Sequence, residues 1–269
     1  MNGLRTGAYV KSNVVGEDGV VLMSLYTIGD LHLHFGSELK AKNQIEGKVW
    51  QKHEEIFCRN CEKLIKPEDT LVLVGDHSWG KNLAEAEKDL EYICNLPGRK
   101  ILLRGNHDMF WDAKKTASLN ELYAGKLEFL QNNYFAYEDY ALVGTKGYTF
   151  EGPFYLDGYG HVCGWDEKEA EHAEKLVGRE AERLKESFER AVSDGYRKFI
   201  MFLHYPPTNV LQNKSIFTKM AEKYGVEQVI YGHCHGESRF HDSIRGKKHG
   251  IRYSLVSGDC LRWHPMKVL

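Results

Sequence analysis

The stretch Ile101-Leu102-Leu103-Arg104-Gly105-Asn106-His107-Asp108 decides the fold. A short apolar run closed by a glycine reads as a buried strand. This one ends on side chains of the kind that hold metals: Asn106, His107 and Asp108. Four other runs behave alike. Residues 25–28 lead to Asp30 and His32, 71–74 to Asp76, 199–203 to His204, and 229–231 to His233 and His235. In open α/β sheets the groups that bind ligands collect just beyond the carboxyl ends of the strands. Segments far apart in sequence therefore send Asp, Asn and His to one edge. A metal centre explains that convergence.

Helix-like stretches separate these runs, which argues an α/β protein. Helices are expected over residues 45–65, 83–95, 118–132, 167–191 and 215–224, with further strands over 135–137, 141–143 and 253–256. The helix over 167–191 carries apolar residues at helical spacing against a charged face, as expected of a helix covering its own sheet. No Pro- or Ser-rich linker divides the chain, and ligand candidates come from both halves. One catalytic domain over 23–269 follows. Residues 1–22 read either as an edge hairpin turning at Glu17-Asp18-Gly19 or as an extension ahead of the first strand. The Gly- and aromatic-rich stretch 109–166 is placed to supply loops that wall or cover the site.

Local spacing supports shared ligation. In an extended segment, residues two apart point the same way, so Asp30 and His32 can reach one ion. His233-Cys234-His235 repeats the device, and alternation turns the Cys234 sulfur toward the core. Gly29 and Gly232 let the backbone turn as each strand ends.

The ordered series Asp30-x-His32, Gly75-Asp76, Gly105-Asn106-His107-Asp108, lone His204 and Gly232-His233-x-His235 resembles the calcineurin-like metallophosphoesterase family, over most of the chain. That resemblance implies two mixed β-sheets packed as a sandwich between helices, a four-layer αββα fold. It also implies two metal ions bridged by Asp76. One would be held by Asp30, His32, Asp76 and His235, the other by Asp76, Asn106, His204 and His233. The activity implied is hydrolysis of a phosphomonoester or phosphodiester, phosphatase or phosphodiesterase, through a metal-activated hydroxide. The nitrogen and oxygen donors suit Mn, Fe or Zn. His107 is implied to touch substrate and protonate the leaving oxygen rather than bind metal. Asp108 would orient the His107 ring and raise its pKa, or else cap the following helix.

The chain departs from the protein-phosphatase branch, whose second motif continues Asp-Arg-Gly. Here the sequence is Gly75-Asp76-His77-Ser78-Trp79-Gly80-Lys81, without that arginine. His77 or Lys81 are candidates to replace it, and Trp79 either lines the pocket or packs. Tyr205-Pro206-Pro207 stiffens the exit that carries His204 and puts Tyr205 either near substrate or in a rigid turn. The basic stretch 239–252 reads as an exposed hairpin turn at 245–248 in preference to a polyanion site.

The formal charge of -2 gives no long-range attraction to nucleic acid, which disfavours a nuclease while leaving a local phosphate site open. The partner expected is a small phosphate ester. No apolar stretch would span a bilayer and no secretory leader is recognisable, so the expected location is cytoplasmic. Six scattered cysteines fit a reducing compartment, and Cys58-x-x-Cys61 reads as two helix cysteines one turn apart. The rival from another class is a non-catalytic scaffold clipped by metal. Loss of ligands would mark that state, and none is lost.

Overall fold

The computed structural model describes residues 23–38, 45, 47–148, 167–209 and 214–269, with the paired backbone of 15–16, 19–20, 155–156 and 162–163. Its main elements, in chain order, are β1 (Leu25–Ile28), α1 (His53–Leu64), β2 (Thr70–Val74), α2 (Leu83–Cys94), β3 (Arg99–Leu103), α3 (Thr116–Leu122), β4 (Glu128–Leu130), β5 (Tyr134–Tyr137) and β6 (Tyr140–Thr145). There follow α4 (Glu167–Ser193), β7 (Lys198–Leu203), α5 (Ile216–Tyr224), β8 (Gln228–Tyr231), β9 (Gly246–Lys248), β10 (Ile251–Leu255) and β11 (Met266–Lys267).

Two sheets form. The first has five strands ordered β11-β1-β2-β3-β4, parallel except for the antiparallel edge strand β11. The second has six, ordered β9-β10-β8-β7-β6-β5, with antiparallel pairs at both edges and parallel pairs between. Alternation along the central strands explains the layering. Val72 and Val74 of β2 face Ile200 and Phe202 of β7 in a core between the sheets. Leu71 and Leu73 turn outward to α1 and α2, and Phe199, Met201 and Leu203 turn outward to α4 and α5. Strands buried on both faces read as continuous apolar runs, which is why the sequence exposes them. The four layers are helix, sheet, sheet, helix, as expected.

Helix ends follow local chemistry. The Asn82 side chain accepts from Glu85 N ahead of α2. Ser215 and Thr218 form a capping box ahead of α5, and Gly225 ends that helix at φ 66. Cys58 and Cys61 sit in α1 as free thiols.

Three boundaries differ from expectation. The helix over 118–132 ends at Leu122: Gly125 turns the chain at φ 77, and β4 then joins β3 as an edge strand. A short apolar run such as 127–130 has no periodicity to separate helix from strand, and the free edge of β3 decides it. The helix expected from residue 45 begins at His53, after a 3-10 turn at Lys48–Trp50. The turn expected over 245–248 is instead strand β9, and the reversal lies at His249-Gly250, both with positive φ. That two-residue geometry suits the twist of the paired strands.

Residues 15–16 and 19–20 pair antiparallel as a two-stranded ladder of their own, and Glu17-Asp18 falls outside the described residues. Of the stretch 109–166 expected to supply the wall, residues 149–154, 157–161 and 164–166 also lie outside them.

Candidate metal centre

All five expected strand ends, three from the first sheet and two from the second, converge at one end of the packed sheets. Asp30, His32, Asp76 and His235 form one group whose ligand atoms lie within 4.8 Å of one another, and Asp76, His204 and His233 form a second. Asp76 belongs to both. Asn106 joins the second group, with its Oδ1 2.7 Å from His204 Nε2. In the first, His32 Nε2 stands 3.1 Å from His235 Nε2 and 3.7 Å from Asp76 Oδ2, and His235 Nε2 is 3.5 Å from Asp30 Oδ1. Imidazole lone pairs and carboxylates aimed at common points suit borderline cations, and this donor set could hold them.

The backbone brings these side chains together differently from simple alternation. Asp30 (φ 64), His32 (φ 47), Asp76 (φ 53) and His233 (φ 71) all take left-handed conformations. Such residues persist where surrounding contacts overdetermine them, and they gather at functional sites. Here the contacts are visible. Asp30 N donates to Gly75 O (2.9 Å), His32 N to Asp76 O (2.8 Å) and Gly232 N to His204 O (3.1 Å). Each carboxylate is also aimed by a neighbouring loop: His233 N donates to Asp30, and His107 N donates to Asp76 Oδ1 at 2.8 Å. Gly105 is required by this crowding, because a Cβ there would lie 2.1 Å from Asp76 Oδ1 and 2.2 Å from Asp76 N. Cys234 is buried in the outer core of the second sheet, as its alternation suggested.

Electrostatics favour ligation. Burial drives His32 well below its ordinary pKa, and burial followed by the charge of His204 does the same to His233, so both offer neutral lone pairs. Burial opposes ionisation of Asp76, yet His204, His32 and His107 hold it well below the carboxylate range. Burial also works against the His204 cation, but Asp76 and Asp30 outweigh it and hold that imidazole up to about 9. His204 Nδ1 donates to Val74 O at 3.1 Å, which leaves Nε2 as the nitrogen that could ligate a metal. A cation held there would have to displace a proton from Nε2 at neutral pH. Metal uptake at pH 7 is expected to release protons and to tighten as pH rises toward about 9, levelling above it. Calorimetric titration with Mn in buffers of differing ionisation enthalpy counts those protons, and a count of zero would contradict the assignment.

Asp108 acts on a different histidine from the one expected. Its carboxylate is fully buried and accepts from the backbone N of Asp76 (3.0 Å), His77 (2.7 Å), Ser78 (3.3 Å) and Gly105 (2.7 Å), and it pairs with His77 Nδ1 at 2.9 Å. It neither orients His107 nor caps a helix. It clamps the loop after β2 to the loop after β3, and so positions Asp76 and Asn106 together. His77 is fully buried on that carboxylate, which removes it as a replacement for the missing arginine. Lys81 is exposed, and its backbone N donates to Glu85. Asp108→Ala would strip a buried acceptor from several donors at once. A stability loss of about 3 kcal/mol or more is expected, read as a lower denaturation midpoint, because each buried donor left unmet costs about 1–3 kcal/mol. An unchanged midpoint would contradict the clamp.

His107 keeps a side chain 41% exposed, with Nε2 4.0 Å from Asp76 Oδ2. Trp79 lies against it at 4.4 Å between ring centroids and stacks on His32 at 4.9 Å. Trp79 therefore lines the site. Tyr205 also reaches it, 4.2 Å from the His233 ring.

Two residues were not foreseen. Trp50 packs edge-on to His32 and His235 at 5.8 and 5.4 Å, and nothing in its sequence setting marks it. Asp259 accepts from Gly236 N (2.8 Å) and Cys260 N (2.9 Å) and lies 3.5 Å from His235 Nδ1, placed to set that ring. It had a signal: Val256-Ser257-Gly258-Asp259 is another strand end closed by Gly-Asp, like Gly75-Asp76.

A model of the family described as calcineurin-like phosphoesterase matches residues 23–237. An uncharacterised protein of Methanocaldococcus jannaschii is 24% identical over 99 residues, which are 37% of this chain and 54% of that protein. The chain thus spans about half the length of that curated relative. Among solved structures, the phosphopantetheinyl hydrolase of Mycobacterium tuberculosis superposes with a TM-score of 0.52 at 14% identity, covering 91% of this chain and 95% of that one. A protein of unknown function from Aquifex aeolicus gives 0.48 at 17% identity, covering 91% and 96%. The likeness to the hydrolase is one of fold.

Proposed function

Because this chain belongs to the calcineurin-like phosphoesterase family, we propose that it hydrolyses a small phosphomonoester or phosphodiester at a centre of two metal ions bridged by Asp76. The observation that carries this reading is the pair of donor groups sharing Asp76, one completed by Asp30, His32 and His235, the other by His204 and His233 with Asn106 beside them. When bound, two such ions supply Lewis acidity toward phosphoryl oxygens and a water of lowered pKa.

The chain's own residues do the rest. Asp76, common to both donor groups, would offset charge at both positions. His204 holds its ring orientation through Val74 O, and the Asp259 carboxylate lies 3.5 Å from His235 Nδ1. His107, partly exposed and outside both donor groups, is placed to meet the substrate and give a proton to the leaving oxygen. Trp50 and Trp79 narrow the His32 side and limit water there.

The neighbouring phosphopantetheinyl hydrolase is compatible with a phosphoesterase on this fold, but its substrate does not carry over at 14% identity. No helix among the described residues is long and apolar enough to cross a membrane. The test is hydrolysis of p-nitrophenyl phosphate and bis(p-nitrophenyl) phosphate by Mn-loaded protein. Turnover that chelation abolishes and Mn restores is expected. Protein that binds Mn at both positions yet hydrolyses neither ester would support the metal-clipped scaffold instead.

A further inference from the structure

Lys146 directly follows β6 at the edge where the ligand candidates gather. Its carbonyl accepts from His204 N (3.1 Å) and Tyr205 N (2.9 Å), which locks it to the strand exit that carries His204. Its ammonium lies 5.5 Å from the Tyr205 ring centroid and 5.9 Å from that of Tyr148. The Tyr205 ring is in turn 4.2 Å from the ring of His233. Lys146 therefore borders the second donor group.

Lys146 is half-buried, and an ammonium withdrawn from water needs an anion. The carboxylate whose charge it feels is Glu180 of α4. Glu180 is fully buried and already engaged: Thr145 Oγ1 and Arg183 Nη1 each donate to it at 2.6 Å, and Arg179 Nε lies 3.6 Å away. Burial lowers the Lys146 pKa. Glu180 opposes that shift, and Arg104, Arg179 and Arg183 add to it. Three cations, Lys146, Arg179 and Arg183, thus share the charge of one carboxylate beside the His204/His233 end of the centre. The wall at the His32 end is aromatic, built by Trp50 and Trp79.

We propose that Lys146, with Arg179 and Arg183 behind it on Glu180, forms an oxyanion subsite that takes a second anionic group of the substrate, set a few ångströms from the scissile phosphoryl group. This rests on the phosphoesterase reading above and narrows it: the substrate is a phosphate ester with a further phosphate or carboxylate on the side of His233. The scissile phosphoryl group sits at the shared centre, and the second charge fixes which way the molecule lies.

Inhibition of bis(p-nitrophenyl) phosphate turnover tests this with Mn-loaded protein. The probes are methylphosphonate, phosphonoacetate, 3-phosphonopropionate and 4-phosphonobutyrate, which differ by one carboxylate and its reach. At least one carboxylated probe is expected to inhibit about tenfold more strongly than methylphosphonate, because a charge-assisted hydrogen bond is among the stronger ones. Lys146→Gln should collapse that ratio toward one, and Lys146→Arg should restore most of it. Arg179→Gln, at a more exposed position, should lower the ratio partially even if Lys146→Gln folds poorly. A ratio of one in the wild type, or a ratio unchanged in Lys146→Gln and Arg179→Gln, overturns the subsite while the turnover itself upholds the phosphoesterase. Absence of turnover in the wild type overturns both.

Discussion

Asp76→Asn is expected to lose bound metal and turnover together. The substitution keeps the size of the side chain and removes its charge. Asp76 is the one residue common to both donor groups. Its Oδ2 lies 3.4 Å from His204 Nε2 and 3.7 Å from His32 Nε2, while Oδ1 is aimed by the backbone N of His107. Two cations held at roughly 3.5–4 Å repel strongly, and a shared carboxylate offsets part of that repulsion. An amide cannot, and its N–H would compete for the space of one ion. Turnover should fall by at least about 10³-fold, the upper range seen when a single preorganised electrostatic group is removed. Metal analysis should show fewer than two ions per chain at Mn concentrations that saturate the wild type. Circular dichroism in parallel separates this from unfolding. Full occupancy with normal turnover in Asp76→Asn would contradict the bridging role.

The fold was largely legible because its central strands are parallel and covered on both faces. Such strands must be apolar throughout, so 71–74 and 199–203 stand out from the helices around them. Edge strands lack that signature. β9 and β11 are largely exposed, and β4, though Phe129 and Leu130 are buried on opposite faces, is only three residues long; pairing with a neighbour's free edge defines them more than composition does. The short run 127–130 was thus absorbed into a helix that Gly125 in fact ends.

At the centre, the ligand candidates were legible and the geometry that joins them was not. Alternation along an extended segment would bring Asp30 and His32 to one ion, but both residues are left-handed, a conformation held by the hydrogen bonds their backbone N–H groups donate to carbonyls of the loop after β2. Spacing in sequence does not encode a turn that another segment enforces. Asp108 shows the same limit. Its position beside His107 suggested a local pair, whereas its carboxylate reaches across to Asp76, His77 and Ser78. A buried carboxylate takes the largest set of donors it can reach, and those were gathered from a different strand end. Trp50 lies in a 3-10 turn and meets the site only because α1 packs on the first sheet. Asp259 carries the same sequence signal as Asp76, a Gly-Asp pair closing a strand-like run.

His107→Ala is expected to keep both metals and to lose turnover selectively. The His107 side chain belongs to neither donor group, and its backbone N, which aims Asp76, is unaffected by truncation. Metal content should therefore match the wild type. The lost ring is the partly exposed one, 4.4 Å from Trp79, on the open side of the centre. A general acid contributes typically about 10²–10⁴-fold where the leaving oxygen needs a proton. Alkyl phosphates leave as basic alkoxides and need it, whereas p-nitrophenolate leaves unaided. The variant should lose about 10²-fold or more on an alkyl phosphate and far less on p-nitrophenyl phosphate. That dependence on leaving group separates proton donation from ground-state binding, which would weaken both substrates equally. The placement of Asp108 on the Asp76 and Gly105 backbone separates the two variants. Asp108→Ala should reduce metal affinity and stability, because it holds Asp76 and Gly105, whereas His107→Ala should alter neither. Equal loss on both substrates would assign His107 to phosphoryl binding. Unchanged turnover on the alkyl phosphate would remove it from the reaction altogether.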